Sequence, residues 1–356
     1  MAMPSEKIKS LQVMRFVAAA MVVAVHAIYF VSQLPPGPAP SLAHIGIGAS
    51  GVDIFFVISG FVIYRSAIKR PPALSFLRKR FLRIAPFYYL ASLTLLPIGA
   101  FSGWPMPDGP SIAASLIFWP AWKHIAAPVD PVGWSLCFEM LFYVSVTLAL
   151  LSRRAVPVLL LAFVAAWIGR VHFGWPVLRF LGNPIILDFL FGVLIAARWK
   201  PERVRPVWYG GLILLLGFAG LYVFCLPAGQ ENAGFVMDAT ESLPRVLRWG
   251  IPAALIVSGA LALEPHLKRK WADRLVFLGD ASYAIYLIHW PLLVIVSWLL
   301  IDVGARQTPW LVPPLFVIGI AAGVAAHRFV EVPLAHAMRN AKVKPAWRGT
   351  SEIVPS

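Results

Sequence analysis

Runs of mostly apolar residues alternate along this chain with short polar segments, and the runs are of similar length. They fall near 11–31, 45–64, 84–102, 133–152, 155–171, 184–199, 208–226, 249–264, 281–301 and 310–330. At 1.5 Å per residue, about twenty helical residues cross the ~30 Å hydrocarbon layer of a bilayer. A helix also pairs its backbone polar groups internally, as lipid demands. The pattern predicts an all-α polytopic membrane protein with about ten transmembrane helices around a central cavity. The longest polar interval, 103–132, is rich in Pro and Gly but holds the apolar run 112-IAASLIFW-119. That run predicts a re-entrant or surface-lying element, or a lid. The chain divides into one membrane domain over 1–335 and a short basic tail over 336–356, with disorder expected beyond Pro333.

Composition agrees with lipid as the solvent: 59% of the 356 residues are hydrophobic, 13% are charged and mean hydropathy is +0.76. A soluble chain of this length has no interior large enough for so much apolar surface. The first apolar run lacks a small-residue cleavage site and reads as a retained span, not a signal peptide. The net charge of +15 would suit nucleic acid, but the positions of the charges explain it otherwise. With the N-terminus inside, 23 of the 31 Lys and Arg fall in inner segments, from Lys7 and Lys9 through the Arg65–Arg83 group to Lys268 and Arg348. Outer loops carry Lys123, Arg170, Arg179, Arg245, Arg248 and Arg306. This bias puts both termini in the cytoplasm, and no nucleic-acid reading motif accompanies it. Trp104, Trp119, Trp122, Trp134, Trp175, Trp249 and Trp310 fall near outer span ends, where interfacial aromatics gather. Cys137 and Cys225 lie in apolar runs and read as buried thiols; no disulfide framework and no metal are expected.

The polar residues inside the spans are few: His26, Asp53, Ser135, Glu139, Asp188 and His289, with His327, Arg328 and Glu331 toward the inner end of the last. Arg15 and His26 are eleven positions apart in 13-VMRFVAAAMVVAVHAIYF-30. On a helix that spacing sets them within roughly 20° of one face and roughly 16 Å apart along the axis. Singly, each polar group suits a helix–helix hydrogen bond or, for Asp53, an ion pair with an arginine such as Arg15. Together, at consistent depth on several helices, they suit a functional cavity. In 75-SFLRKRFLRIAPFYYL-90, Arg80 and Arg83 share a helical face, and Pro86 is placed to start or kink the third span. Planar guanidiniums there suit a phosphate-bearing ligand, with anionic lipid as the competitor. In 133-GWSLCFEMLFYV-144, Ser135 and Glu139 look onto the same groove.

These motifs, in order, resemble the acyltransferase-3 family of integral membrane acyltransferases, in its bacterial cell-surface O-acyltransferase branch. The likeness is carried by 10-SLQVMRFVAAAMVVAVH-26, 51-GVDIFFVISGFVI-63, 76-FLRKRFLRIAPFY-88, 134-WSLCFE-139, 283-YAIYLIHWPL-292 and 329-FVEVPL-334. The resemblance implies that an acyl group, usually acetyl, passes from cytoplasmic acyl-CoA to a hydroxyl of a glycan or lipid-linked sugar at the opposite face of the inner membrane. It implies that Arg15 and His26 are the essential pair, with His26 catalytic, and that Arg80 and Arg83, with Arg15, meet the CoA. Glu139 matches the acid of the WSL-x-x-E element and Glu331 the acid near the end of the last span. Trp134, Ser135, His289 and Glu331 are the expected substrate-binding residues, while Asp53 or Glu139 orients or balances the imidazole. Some members carry a further span and an outer SGNH-type hydrolase domain; this chain looks like the stand-alone form.

A CoA thioester has a polyanionic nucleotide and a thin, nearly neutral arm. The nucleotide can stay at Arg80 and Arg83 while the arm reaches the roughly 16 Å from Arg15 to His26. His26 then serves as general base on the acceptor hydroxyl or as an acyl-imidazole relay, and Arg15 positions the donor or steadies the oxyanion. A different class fits the same buried His, Asp and Glu: a proton-coupled transporter of a small solute, although no inverted repeat points that way.

Overall fold

The computed structural model describes residues 7–37, 46–102, 106–122, 124–225, 233–267 and 270–340. Trp104, Lys123, Lys268 and the tail from 341, Arg348 included, lie outside the described residues. The helices are α1 (Lys9–Ser32), α2 (Gly51–Ala67), α3 (Ala73–Ser102), α4 (Gly109–Ile117), α5 (Trp134–Leu151), α6 (Ala155–Phe173), α7 (Pro176–Leu181) and α8 (Ile186–Arg198). They continue as α9 (Val207–Val223), α10 (Ala233–Met237), α11 (Ser242–Arg245), α12 (Ile251–Leu263), α13 (Lys270–Asp280), α14 (Ser282–Asp302), α15 (Val312–Ala326) and α16 (Val332–Asn340). Among the described residues, nine helical stretches are long and apolar enough to cross a membrane; the tenth expected span is the shorter apolar helix α9. Among the same residues there is no strand, only a single bridge from Ala121 to Ile125. The protein is an all-α polytopic membrane protein.

Local chemistry explains several boundaries. No side chain of its own caps α1; instead the carboxylate of Glu264, beyond the end of α12, accepts from the backbone N–H of Lys9 (2.9 Å) and Ser10 (2.6 Å). Lys7 pairs with Asp280 (2.9 Å) and Lys9 with Asp273 (2.7 Å), so α13 is strapped to the base of α1. The helix α4 opens on Asp108, which accepts from Ser111 N–H (2.8 Å), and closes on Phe118 in the left-handed region at φ 56°. Phe118 then packs on Tyr88 and Tyr89 at the middle of α3, and the Tyr89 hydroxyl donates to Leu116 O (2.5 Å). The apolar run 112–119 thus forms a short helix laid against α3.

Three expectations are corrected. Pro86 does not start the third span: α3 runs from Ala73 to Ser102 with Pro86 and Pro97 inside. Apolar Leu77, Phe81, Ile84 and Tyr88 keep helical spacing across the cations, so Arg80 and Arg83 ride the same rod that crosses the bilayer. The chain beyond Pro333 is helical as far as Asn340, so the boundary expected at 335 falls inside α16. Trp134 and Trp249 are not interfacial; both are buried, whereas Trp122, Trp175 and Trp310 are exposed at span ends. Cys137 is a buried thiol as expected, and Cys225 is only partly buried.

The core lies where α1, α2, α5, α8, α12 and α14 meet. Helices α2 and α8 approach backbone to backbone at Gly60 and Gly192, where any Cβ would strike the carbonyl of Phe189 or Val57. The helix α6 turns nearly all its surface outward, an apolar exterior that suits lipid contact. Because α1 and α14 pack along each other, Arg15 and His26 face α14 together, as their spacing predicts: Arg15 Nε donates to Ser282 Oγ (3.2 Å), and His26 meets His289.

Candidate active site

A cavity opens within the bundle, lined by residues of α1, α2, α3, α5 and α14. Its lining on α2 runs from Val52 to Ile63, about 16 Å of helix rise. Arg15, Arg80, Arg83, Glu139 and Tyr143 lie in the wall together with Ser59, and the far part of the wall includes Ser135 and Tyr286. Arg83 is exposed and Arg80 half-buried, so these two stand toward the mouth. That mouth belongs to the end of the bundle that carries the basic inner segments.

Among the described residues Glu139 has no ion-pair partner. Its Oε1 accepts from Ser59 Oγ (3.0 Å) and from the hydroxyl of Tyr143, one turn along α5. Among the described residues, none of the guanidiniums of Arg15, Arg80 and Arg83 lies within ion-pair distance of a carboxylate. Three cations and one carboxylate therefore share the cavity, an excess of positive charge directed into open space. Arg80 also lies over the ring of Phe76 (5.4 Å), which fixes its stem.

His26 and His289 form the second part of the site. Their rings are nearly parallel (12°) with centroids 5.0 Å apart, and His26 Nδ1 is 2.7 Å from His289 Nε2. His289 Nδ1 lies 3.0 Å from Ile285 O, a group that only accepts. The proton of His289 therefore sits on Nδ1, its Nε2 accepts, and His26 donates from Nδ1. This fixes the lone pair of His26 on Nε2. Among the described residues that nitrogen has no hydrogen-bond partner, and it is not sealed from solvent. Trp290 meets the His26 ring edge-on at 4.8 Å and holds it against α14. A tautomer-fixed imidazole with a free lone pair is the form a general base requires.

The cavity does not itself reach His26 or His289; neither ring lines it. Tyr286 stands between. It lines the cavity, its ring is 6.1 Å from that of His289, and its hydroxyl donates to Val132 O (2.8 Å) beside Ser135 Oγ (2.8 Å). Tyr286 is thus a residue of the cavity wall that also touches the histidine pair, at His289.

Other expected residues stand elsewhere. Asp53 does not touch His26: its oxygens accept from Arg245 Nε (3.1 Å) and Nη2 (2.7 Å) on the opposite face of α2, away from the cavity. Asp188 lies buried against this pair. Trp134 does not line the cavity; it packs between Phe56, Phe138 and the Arg245 guanidinium. Glu331 is held by His327 Nδ1 (2.6 Å), one turn away in the turn joining α15 to α16. Sequence reading missed Tyr286, Tyr143 and Arg245 as members of these networks. Helical spacing carried the signal for two of them, since Tyr286 is three before His289 and Tyr143 four after Glu139. Arg245 had none, because it reads as an outer-loop cation.

Fold and site define an integral membrane protein with a cation-lined cavity and, close by, a pair of stacked histidines. The chain belongs to the acyltransferase family described as "Acyltransferase domain", whose match covers residues 8–328, and it is an acyltransferase. It is 34% identical over 324 residues to the exopolysaccharide production protein ExoZ of Rhizobium meliloti, covering 86% of this chain and 95% of that protein. It is 28% identical to nodulation protein 10 of Rhizobium leguminosarum bv. viciae over 77% of this chain and 79% of the relative. It is also 23% identical to the O-acetyltransferase OatA of Staphylococcus aureus, over 81% of this chain but only 52% of OatA. No solved structure matches.

Proposed function

We propose that this protein transfers an acyl group, acetyl in the first instance, from cytoplasmic acyl-CoA to a hydroxyl of a cell-surface glycan or lipid-linked sugar at the bacterial inner membrane. The observation that carries the reading is the trio Arg15, Arg80 and Arg83 lining one cavity with, among the described residues, no carboxylate within ion-pair distance. Such a mouth suits the phosphates of a nucleotide, and the roughly 16 Å of lining beyond it suits a thin thioester arm. The relatives named for exopolysaccharide production and for O-acetyl transfer support a glycan acceptor.

In this mechanism the acceptor hydroxyl gives its proton to His26 Nε2 as its oxygen attacks the thioester carbonyl. The C–O bond forms, the C–S bond breaks, and the proton leaves on the CoA thiol. His289 holds the tautomer of His26 and steadies the imidazolium. Arg15, closest to the imidazole along α1, positions the thioester. Glu139 sets the field at the mouth through Ser59 and Tyr143. Tyr286 must yield for the carbonyl to meet the ring.

The test is purified protein in nanodiscs with labelled acetyl-CoA and a glycan acceptor. Release of CoA thiol with label on the acceptor, lost in His26→Ala, is the expected result. Undiminished turnover in that variant would remove His26 from the chemistry. Solute movement without thioester cleavage would favour a transporter.

A further inference from the structure

The cavity changes character along its length. Its mouth is cationic, but the opposite end is walled by Val52, Phe55, Phe56 and Leu136, with Ser135 and Tyr286 contributing the only hydroxyls there. Those hydroxyls are engaged with each other and with Val132 O. A ligand's end group at this depth meets mostly apolar surface, which suits a hydrocarbon and rejects a charge.

Phe56 is one of the rings lining this end, and it has no room to retreat. It is 2% exposed and lies on Phe189 with centroids 4.4 Å apart, while Trp134 meets it edge-on at 6.0 Å. Phe189 is backed in turn by Phe142 (4.7 Å), and Trp134 by the ion-paired guanidinium of Arg245 (5.7 Å). Interiors packed at this density do not give way to added methylenes without rearrangement. On the other side, Phe55 meets Tyr286 at 5.9 Å, so the end is bounded by rings on both flanks.

We propose that Phe56, held by Phe189 and Trp134, sets the acyl-chain length that the cavity accepts and confines the donor to short acyl groups such as acetyl or propionyl. The inference rests on the reading that the cavity holds acyl-CoA. It adds a specificity residue that touches the acyl group without taking part in proton transfer. A ring removed at position 56 leaves apolar space in line with the thioester arm, and further carbons of the chain fill it.

The experiment measures kcat/KM for thioester cleavage with acetyl-, propionyl-, butyryl-, hexanoyl- and octanoyl-CoA, together with CoA affinity. Wild-type protein is expected to lose activity steeply beyond the short chains. Phe56→Ala is expected to raise the hexanoyl-to-acetyl ratio by about tenfold or more, the scale on which apolar pockets discriminate chain length. Phe56→Leu is expected to show a smaller rise in the same direction, and it keeps the test alive if the alanine variant does not fold. A ratio unmoved in folded Phe56→Leu and Phe56→Ala overturns the assignment. So does a wild-type protein that binds CoA yet cleaves all five donors alike. Wild-type protein that binds no CoA overturns the cavity reading itself and this inference with it.

Discussion

Two sets of charge lie on opposite faces of α2 and follow opposite rules. On one face Asp53 meets Arg245, both at most 1% exposed, with two hydrogen bonds between them. Ala49 O takes a further donor from Arg245 (2.8 Å), and Trp249 and Trp134 cover the guanidinium. On the other face Arg15, Arg80 and Arg83 share an open cavity with one carboxylate that is bonded to hydroxyls instead. Charge matched in a sealed site binds helices together, since either partner alone would be left buried and unpaired. Charge left unmatched beside open space faces a ligand. The contrast separates residues that a list of intramembrane polar groups would treat alike.

The comparison is sharpest at the imidazoles. His26→Ala is expected to lower acyl transfer by about 10²–10⁴-fold, the usual worth of a general base, with the far-UV circular dichroism of the fold retained. His289→Ala is expected to lose less, because the base remains while its tautomer is no longer fixed. Equal loss in both would mean that the pair titrates and acts as a unit. No loss in either would place the chemistry elsewhere in the cavity.

Breaking the sealed set is expected to act on stability. Asp53→Ala takes from the buried Arg245 guanidinium the carboxylate that accepts its Nε and Nη2, with Asp188 left as the neighbouring acid, at a cost of up to about 3–5 kcal/mol, read as a lowered midpoint in thermal or denaturant unfolding in detergent. The fraction that stays folded is expected to bind CoA as the wild type does. An Asp53→Ala protein that melts normally but no longer turns over would invert the comparison and return Asp53 to the chemistry.

Breaking the open set is expected to act on donor binding with little effect on stability. Arg80→Ala and Arg83→Ala are each expected to weaken CoA binding by roughly tenfold, the worth of a hydrogen bond to a charged group. The wild-type affinity is expected to fall with added salt, since the mouth is exposed to screening. Unchanged CoA affinity in the double variant would leave these cations to membrane topology alone.

Much of this architecture was legible because lipid imposes one simple rule. Apolar length located nearly every span, and the eleven-residue offset put Arg15 and His26 on the face that meets α14. Spacing also put Ser135 and Glu139 into one wall. What stayed hidden depends on contacts between distant segments. Nothing local distinguishes Arg245 from an outer-loop cation, and only the approach of α11 to α2 gives Asp53 its partner. The burial of Trp134 was hidden for the same reason: an indole at a span end suits the interface until Phe56, Phe138 and Arg245 close around it. The continuity of α3 through Pro86 ran against a local rule, and the regular apolar spacing on both sides outweighed it.

The smallest effect tests the helix that carries both halves of the site. Glu264 caps α1 from a remote helix, accepting from the first N–H groups at Lys9 and Ser10, where the helix dipole also favours a carboxylate. Glu264→Ala removes that cap and is expected to cost about 1 kcal/mol, seen as a small drop in melting midpoint. Glu264→Gln keeps one accepting oxygen and is expected to fall between the two. Arg15 lies six residues beyond Lys9, deeper in the helix than a frayed first turn, and the salt bridges of Lys7 and Lys9 to α13 remain. Transfer activity is therefore expected to change far less than it does in His26→Ala. A Glu264→Ala protein with normal stability and abolished transfer would show that the register of α1 against α14, and not only its folding, is set at this end of the bundle.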